Sequence, residues 1–192
     1  MSKIILASQS PRRAELLSKI GVEFETIPSS FEEQLDQSKD PEEVAKEIAL
    51  GKALNVAAQF PDAYVIGSDT VVALRNRQME KPTDINDARE MLTALAGKQS
   101  IVTTGIVIIC QNMNIKLVDG STTRVFFKPG SEEIQVLREA YLATDDWKDK
   151  AAGYGIQSGA GPLIDHYDGD YDTIVGLPTF KLSAMLKQLD LL

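Results

Sequence analysis

The chain has one cysteine and one histidine. Cys110 has no partner within the chain for a disulfide, and no Cys/His zinc set can be assembled. A Ser-His-Asp or Cys-His nucleophilic system would have to run through His166. Long hydrophobic runs are missing too, since no apolar stretch approaches the ~20 residues that a bilayer helix needs. The opening M-S-K-I-I-L-A-S is too short in its apolar part for the core of a signal peptide. A cytoplasmic protein with no membrane partner is expected. Basic residues are in the minority, 20 Lys and Arg against 28 Asp and Glu, for a formal charge of -8. Non-specific binding to nucleic acid rests on phosphate neutralisation by Lys and Arg, so nucleic acid is not the expected partner. Any enzymatic chemistry must be carried by carboxylates, Lys and Arg, with or without a hard metal.

What remains is ordinary for a folded protein: 192 residues, 43% hydrophobic and 25% charged. At that length one fold buries roughly 70% of its unfolded surface without staples, and one domain or two small lobes over residues 1–192 is expected. Lys3 to Ala7 reads as a buried strand ending at Ser8. Ser10, Pro11 and Gly21 have the chemistry of an N-cap, a first helical position and a C-terminal stop, so a helix follows. Val22 to Ile27 reads as a second strand. A long helix opens at Asp40-Pro41 and runs to about Phe60. Ala63 to Gly67 is a buried strand that delivers Ser68, Asp69 and Thr70 at its end; Val71 to Leu74 continues extended, and Arg75 to Gln78 reads as a hairpin turn. A helix spans about Ile85 to Ala96. Ile101 to Cys110 and Ile115 to Phe127 form a hairpin, and a helix runs from Ser131 to about Ala143. After the Gly-rich A-A-G-Y-G-I-Q-S-G-A-G come short strands at Leu163 to Tyr167 and Tyr171 to Ile174, then a final helix from Pro178. Alternating strands and helices followed by a hairpin predict an α/β fold with a mixed sheet and helices on both faces.

Three constellations could carry chemistry. In S-Q-S-P-R-R, two Arg stand in the first turn of a helix, where the dipole is already positive. A bound polyanion turns that conflict into a site of N–H groups, Ser hydroxyls and guanidinium forks; otherwise both Arg are solvated and paired with acids such as Glu15. In I-G-S-D-T-V, Asp69 follows a buried strand, where α/β proteins place ligands, although an Asp in a turn is commoner. With Glu33 it offers two carboxylates to a magnesium ion, which takes one or two carboxylates plus phosphate oxygens and water. Lys52 flanks the buried face of the long helix, either snorkelling or facing a ligand, and Lys81 stands in the loop M-E-K-P-T-D. His166 reads as structural and Cys110 as buried filler. The Gly-rich stretch is neither a P-loop nor a dinucleotide fingerprint.

The order L-A-S-x-S-P-R-R-x-E-L-L, F-E-E, G-K-A, I-G-S-D-T-V, E-K-P, T-T-G, Y-G-I-Q and V-G-L-P resembles the Maf family of nucleoside triphosphate pyrophosphatases, over essentially the whole chain. The resemblance implies an extended mixed sheet, twisted around a central nucleotide cleft between two lobes, and a homodimer. It implies hydrolysis of the α–β phosphoanhydride to a monophosphate and pyrophosphate, assisted by a divalent metal cation, Mg2+ or Mn2+. Carried over by position, the catalytic base falls on Asp69 and its metal-site partner on Glu33. The polyphosphate contacts fall on Ser8, Arg13, Lys52 and Lys81, and base choice on Arg12, Thr70 and Gln157. Arg12 with E-K-P and Y-G-I-Q resembles the branch acting on dTTP and UTP, with 5-modified uridine nucleotides as further candidates. Gly51 departs from a position that is usually charged, and K-Q-S-I-V-T-T-G lacks a His common in that strand. The alternative is a nucleotide-binding regulator of cell division without turnover, in keeping with the link of some members to arrested septum formation.

Overall fold

The computed structural model describes residues 3–75 and 77–192, and among them seven strands form one mixed sheet. In chain order the strands are β1 (Ile4–Leu6), β2 (Glu25–Thr26), β3 (Tyr64–Leu74), β4 (Arg77–Met79), β5 (Gln99–Cys110), β6 (Ile115–Phe127) and β7 (Ile164–Asp168). Their spatial order is β2-β1-β3-β5-β6-β7, with β4 on β3. β1 is parallel to both its neighbours, and the remaining pairs are antiparallel.

Side chains alternate across this sheet with the period of two that a strand imposes. Ile5, Val65, Val107 and Ile109 point to one face and pack under Ala49, Ala53 and Val56 of α2 (Pro41–Ala57). Ile4, Leu6, Ile66, Ile106 and Ile108 point to the other. There they meet Leu16 and Leu17 of α1 (Pro11–Ile20) and Leu182 and Leu186 of α6 (Thr179–Gln188). Farther along, Val72, Val102 and Val125 pack with Leu92 and Leu95 of α3 (Ile85–Leu95), with Leu142 of α4 (Glu132–Leu142), and with Trp147 and Tyr154. Helices thus cover both faces, as the alternation of elements predicts. Each fully buried Leu or Ile in these clusters contributes about 1.5–3 kcal/mol.

Several local expectations change. β3 does not end at Gly67 but runs on to Leu74, so Asp69 lies within a strand. The chain stays extended because β5 pairs with it continuously from Val65 to Leu74. Its opposite edge is paired by β1 at Tyr64–Ile66 and by β4 at Val72–Leu74. Between them, residues 67–71 have no partner strand on that edge among the described residues. This gap places Asp69 and Thr70 beside open space, with one directed to each face.

Arg77 and Gln78, expected in a turn, belong to β4, and Asn76 lies outside the described residues. The expected strand at Val22 to Ile27 shrinks to Glu25–Thr26. The expected strand at Tyr171 to Ile174 is instead a helix, α5 (Tyr171–Val175). The Asp170 carboxylate accepts from the Thr173 N–H at 2.8 Å and caps it, a local bond that outweighs the β-branched Thr and Ile. His166 lies exposed in β7, its ring stacked on Phe126 at 4.3 Å, and Cys110 is fully buried.

Candidate active site

A cleft of about 710 Å³ opens where β1 stops, a size typical of small-molecule sites. Val72, Val102 and Tyr154 from one apolar cluster and Val175 from another contribute to its walls. Every residue that the resemblance assigns to catalysis, metal, phosphate or base lines it: Ser8, Arg12, Arg13, Glu33, Lys52, Asp69, Thr70, Lys81 and Gln157.

Lys52 is the centre of the arrangement. Only 10% of its side chain is exposed, and its Nζ lies 2.5 Å from Asp69 Oδ1 and 2.6 Å from Glu33 Oε1. It does not snorkel. Its place follows from how closely α2 approaches the sheet: a Cβ on Gly67 would collide with the Ala49 carbonyl and come within 2.9 Å of the Ala53 methyl. The glycine lets the helix backbone rest on β3, which brings the next side chain along, Lys52, level with Asp69. Glu33 reaches the same ammonium from the loop before α2. There the Phe31 ring lies where a Cβ on Gly51 would project, so a glycine at this departing position gives the loop its seat. Lys81 Nζ approaches Glu33 Oε2 at 3.9 Å from the segment after β4.

Arg13 builds the other half. Its Nε donates to the Gly176 carbonyl at 2.8 Å, Nη2 to Thr70 Oγ1 at 3.2 Å, and Nη1 to Ser8 Oγ at 3.5 Å. A guanidinium has five N–H donors, so two remain for a ligand. Gly176 and Ser68 escaped the sequence reading as site residues. Gly176 closes α5 at φ 117°, and a Cβ there would lie 3.1 Å from Thr70 Oγ1. Its carbonyl also accepts from the buried Ser68 hydroxyl at 2.9 Å. This explains V-G-L-P as a support for Arg13. The Thr70 hydroxyl is engaged by Arg13 and by Thr104 at 2.9 Å.

Ser10 takes the N-cap position of α1, but its side chain makes no capping bond. Its own N–H donates to Ser8 Oγ at 3.1 Å. Pro11 has no N–H, so the first turn presents the amides of Arg12 and Arg13 to the cleft with no side-chain cap. An uncapped N-terminus beside two Arg is electrostatically unfavourable unless an anion completes it.

The two carboxyls are driven apart. Burial pushes Asp69 above its ordinary value, and Glu33 adds to this, while Lys52 and Arg13 oppose it. Burial also raises Glu33, but the hydrogen bond and charge of Lys52, then Lys81 and Arg13, outweigh it and hold Glu33 below its ordinary value. Burial lowers Arg13, opposed by Asp69 and Glu33. One carboxyl held up and the other held down sets the two apart in acid–base character, an arrangement that can divide two roles between them. Among the described residues no group of three or more His, Cys, Asp and Glu is placed to hold a metal. Glu33 and Asp69 nonetheless place oxygens around one point that a cation, the Lys52 ammonium, already occupies. Two carboxylates suit a hard divalent ion whose remaining ligands are phosphate and water.

Fold and cleft together define a class: an α/β protein whose cleft sets arginines and lysines against a carboxylate pair. The sequence model described as Maf-like protein matches residues 3–189, and the chain belongs to that family. A protein of Pyrococcus furiosus named dTTP/UTP pyrophosphatase is 42% identical over 190 residues, spanning 97% of this chain and 95% of the relative. One of the same name from Bacillus cereus is 40% identical over 191 residues, spanning 100% of this chain and 97% of the relative. Another from Bacillus anthracis shares 40% identity over the same extent. No described helix is long and apolar enough to cross a membrane.

Proposed function

We propose that the chain is a nucleoside triphosphate pyrophosphatase. It hydrolyses the α–β phosphoanhydride of dTTP and UTP, and of 5-modified uridine triphosphates, to the monophosphate and pyrophosphate. It works in the cytoplasm as a homodimer, each chain one domain of two lobes around the cleft. The observation that carries this reading is the sharing of Lys52 between a buried Asp69 and a more exposed Glu33, at the foot of a cation-rimmed cleft. The names of the Pyrococcus and Bacillus relatives point to the same reaction.

Phosphoanhydride hydrolysis needs positioning, neutralisation of phosphate charge and an aligned water, with no covalent step on the protein. Ser8, Arg13, Lys52, Lys81 and the open amides of α1 bind the polyphosphate. Arg13 is held rigidly by Gly176 and Thr70, so little reorganisation accompanies binding. When the phosphates enter, they compete with the carboxylates for Lys52, and Asp69 is freed to accept a proton from the attacking water. Glu33 and Asp69 would hold a divalent cation, Mg2+ or Mn2+, which supplies neutralisation of the phosphates and a lowered pKa for bound water. Base choice falls to Arg12, Thr70 and Gln157; Thr70 is short enough to leave room for a 5-methyl group.

The test is a panel of nucleotides with Mg2+ or Mn2+ and analysis of rates and products. dTTP and UTP should exceed CTP in kcat/KM by about tenfold or more, since each unpaired buried polar group costs about 1–3 kcal/mol. Tight binding of nucleotides without turnover would instead make the protein a regulator, and preference for CTP or GTP would refute the base assignment.

A further inference from the structure

Arg12 and Arg13 are neighbours in the first turn of α1, yet they turn to different partners along the cleft. Arg13 turns inward to Ser8, Thr70 and Gly176. Arg12 reaches across to Asp149, with Nη1 3.2 Å from Oδ2. Asp149 Oδ1 accepts from Lys150 Nζ at 2.7 Å. Lys150 is only 9% exposed and donates also to the Asp146 carbonyl. The chain beyond is pinned: Ala152 takes φ 57°, and its N–H donates to the Glu80 carbonyl at 2.9 Å, next to Lys81. Asp149 is therefore held in place while 62% of its side chain stays open in the cleft.

A carboxylate is repelled by triphosphate, so Asp149 does not belong among the phosphate-binding cations. Burial acts to raise its pKa, but Lys150 and then Arg12 outweigh this and hold it below its ordinary value, so it remains an acceptor. It offers about four lone-pair sites, and Arg12 and Lys150 use two. The imide edge of uracil or thymine presents carbonyl, N3–H, carbonyl, and its complement is donor, acceptor, donor. Arg12 and the exposed Gln157 amide, both lining the same cleft, supply the donors. No residue carried over from the family supplies a charged acceptor between them.

Resting on the pyrophosphatase reading, we propose that Asp149 is a specificity-determining residue whose carboxylate accepts the N3–H of the pyrimidine base, with Arg12 held beside it to donate to the adjacent carbonyl. Cytosine and adenine place a ring-nitrogen lone pair where the carboxylate lies and are repelled. Guanine carries a ring N–H, so Asp149 does not exclude it; the room in the cleft must do so.

The experiment compares UTP, CTP and N3-methyl-UTP on the wild-type chain, Asp149→Asn and Asp149→Ala, by pyrophosphate release. Wild-type protein should favour UTP over both other nucleotides by about tenfold or more, the factor expected for losing one hydrogen bond to a charged group. Asp149→Asn, whose amide can turn its NH2 toward cytosine N3, should raise kcat/KM for CTP and narrow the UTP:CTP ratio by about tenfold. Asp149→Ala should abolish the penalty on N3-methyl-UTP. If both ratios stay within about twofold of wild type while all rates fall together, Asp149 merely supports the fold of the cleft and the assignment is overturned. Absence of pyrophosphate from every nucleotide with wild-type protein strikes the pyrophosphatase reading itself, a distinct result.

Discussion

Lys52 neutralises two carboxylates at once, so its removal acts on stability as well as on catalysis. In Lys52→Ala the buried Asp69 loses its nearest cation, a change that costs about 3–5 kcal/mol when one partner of a buried pair is deleted. Asp69, already pushed up by burial, is then raised further in the folded state than in the unfolded chain. The folded state holds the proton while the unfolded state releases it, so stability falls as pH rises above the ordinary Asp value of about 3.9. Urea unfolding of Lys52→Ala should therefore show a deficit against wild type that grows from pH 4 to pH 7, and a deficit that does not change with pH would remove the buried pair from the explanation. Asp69→Asn keeps the shape but loses charge and basicity, and turnover should drop at least ~100-fold, the range for a lost general base. In the wild-type chain kcat/KM should rise with pH through an acid limb lying above the ordinary Asp range, because the base works only when deprotonated. An acid limb at or below that range, or near-wild-type turnover by Asp69→Asn, would assign the proton transfer elsewhere.

Helix α2 and strand β3 form the frame on which this pair depends. Gly67→Ala sets a methyl against the Ala49 carbonyl, and overpacking of this kind costs about 1–3 kcal/mol. The helix must lift, and Lys52 and Asp69 part. A lower melting temperature with a larger proportional loss of kcat is the expected outcome, whereas a fall in melting temperature with kcat intact would mean that the seating of α2 does not set the site. The elements themselves were largely legible in the sequence where they are long: Pro11 to Gly21 and the hairpin of Ile101 to Phe127 carry an apolar period with end signals, and the helix opened by Asp40 is marked by its Asp40-Pro41 start and its length rather than by a one-sided apolar stripe. Tyr171–Val175 was misread because five residues are too few to separate a helical period from an alternating one, and the capping bond of Asp170 decides it. The continuation of β3 through Asp69 to Leu74 was hidden because it comes from pairing with β5, whose partner residues lie 26 to 40 positions downstream, rather than from any local preference.

Across the whole molecule, a chain of charge -8 gathers five cations beside four carboxylates in one cleft, and that gathering was legible only as scattered motifs. Ser8, Arg13, Asp69 and Thr70 could be suspected because each follows a buried strand or opens a helix. The meeting of Arg12 with Asp149, 137 residues apart, has no local signature. Neither has the support that Gly176 gives to Arg13 from 163 residues away. Such contacts arise from the order of strands in the sheet. They bring both parts of the chain to the gap in the edge of β3, where the polyphosphate is expected to lie. Whether that gap performs the proposed chemistry is decided by incubating the purified chain with UTP and Mg2+ and separating the products by anion exchange. Equal amounts of UMP and pyrophosphate, with no UDP at any time, are the expected result; UDP with orthophosphate would place the reacting phosphorus elsewhere in the cleft and contradict the roles given to Asp69 and Glu33.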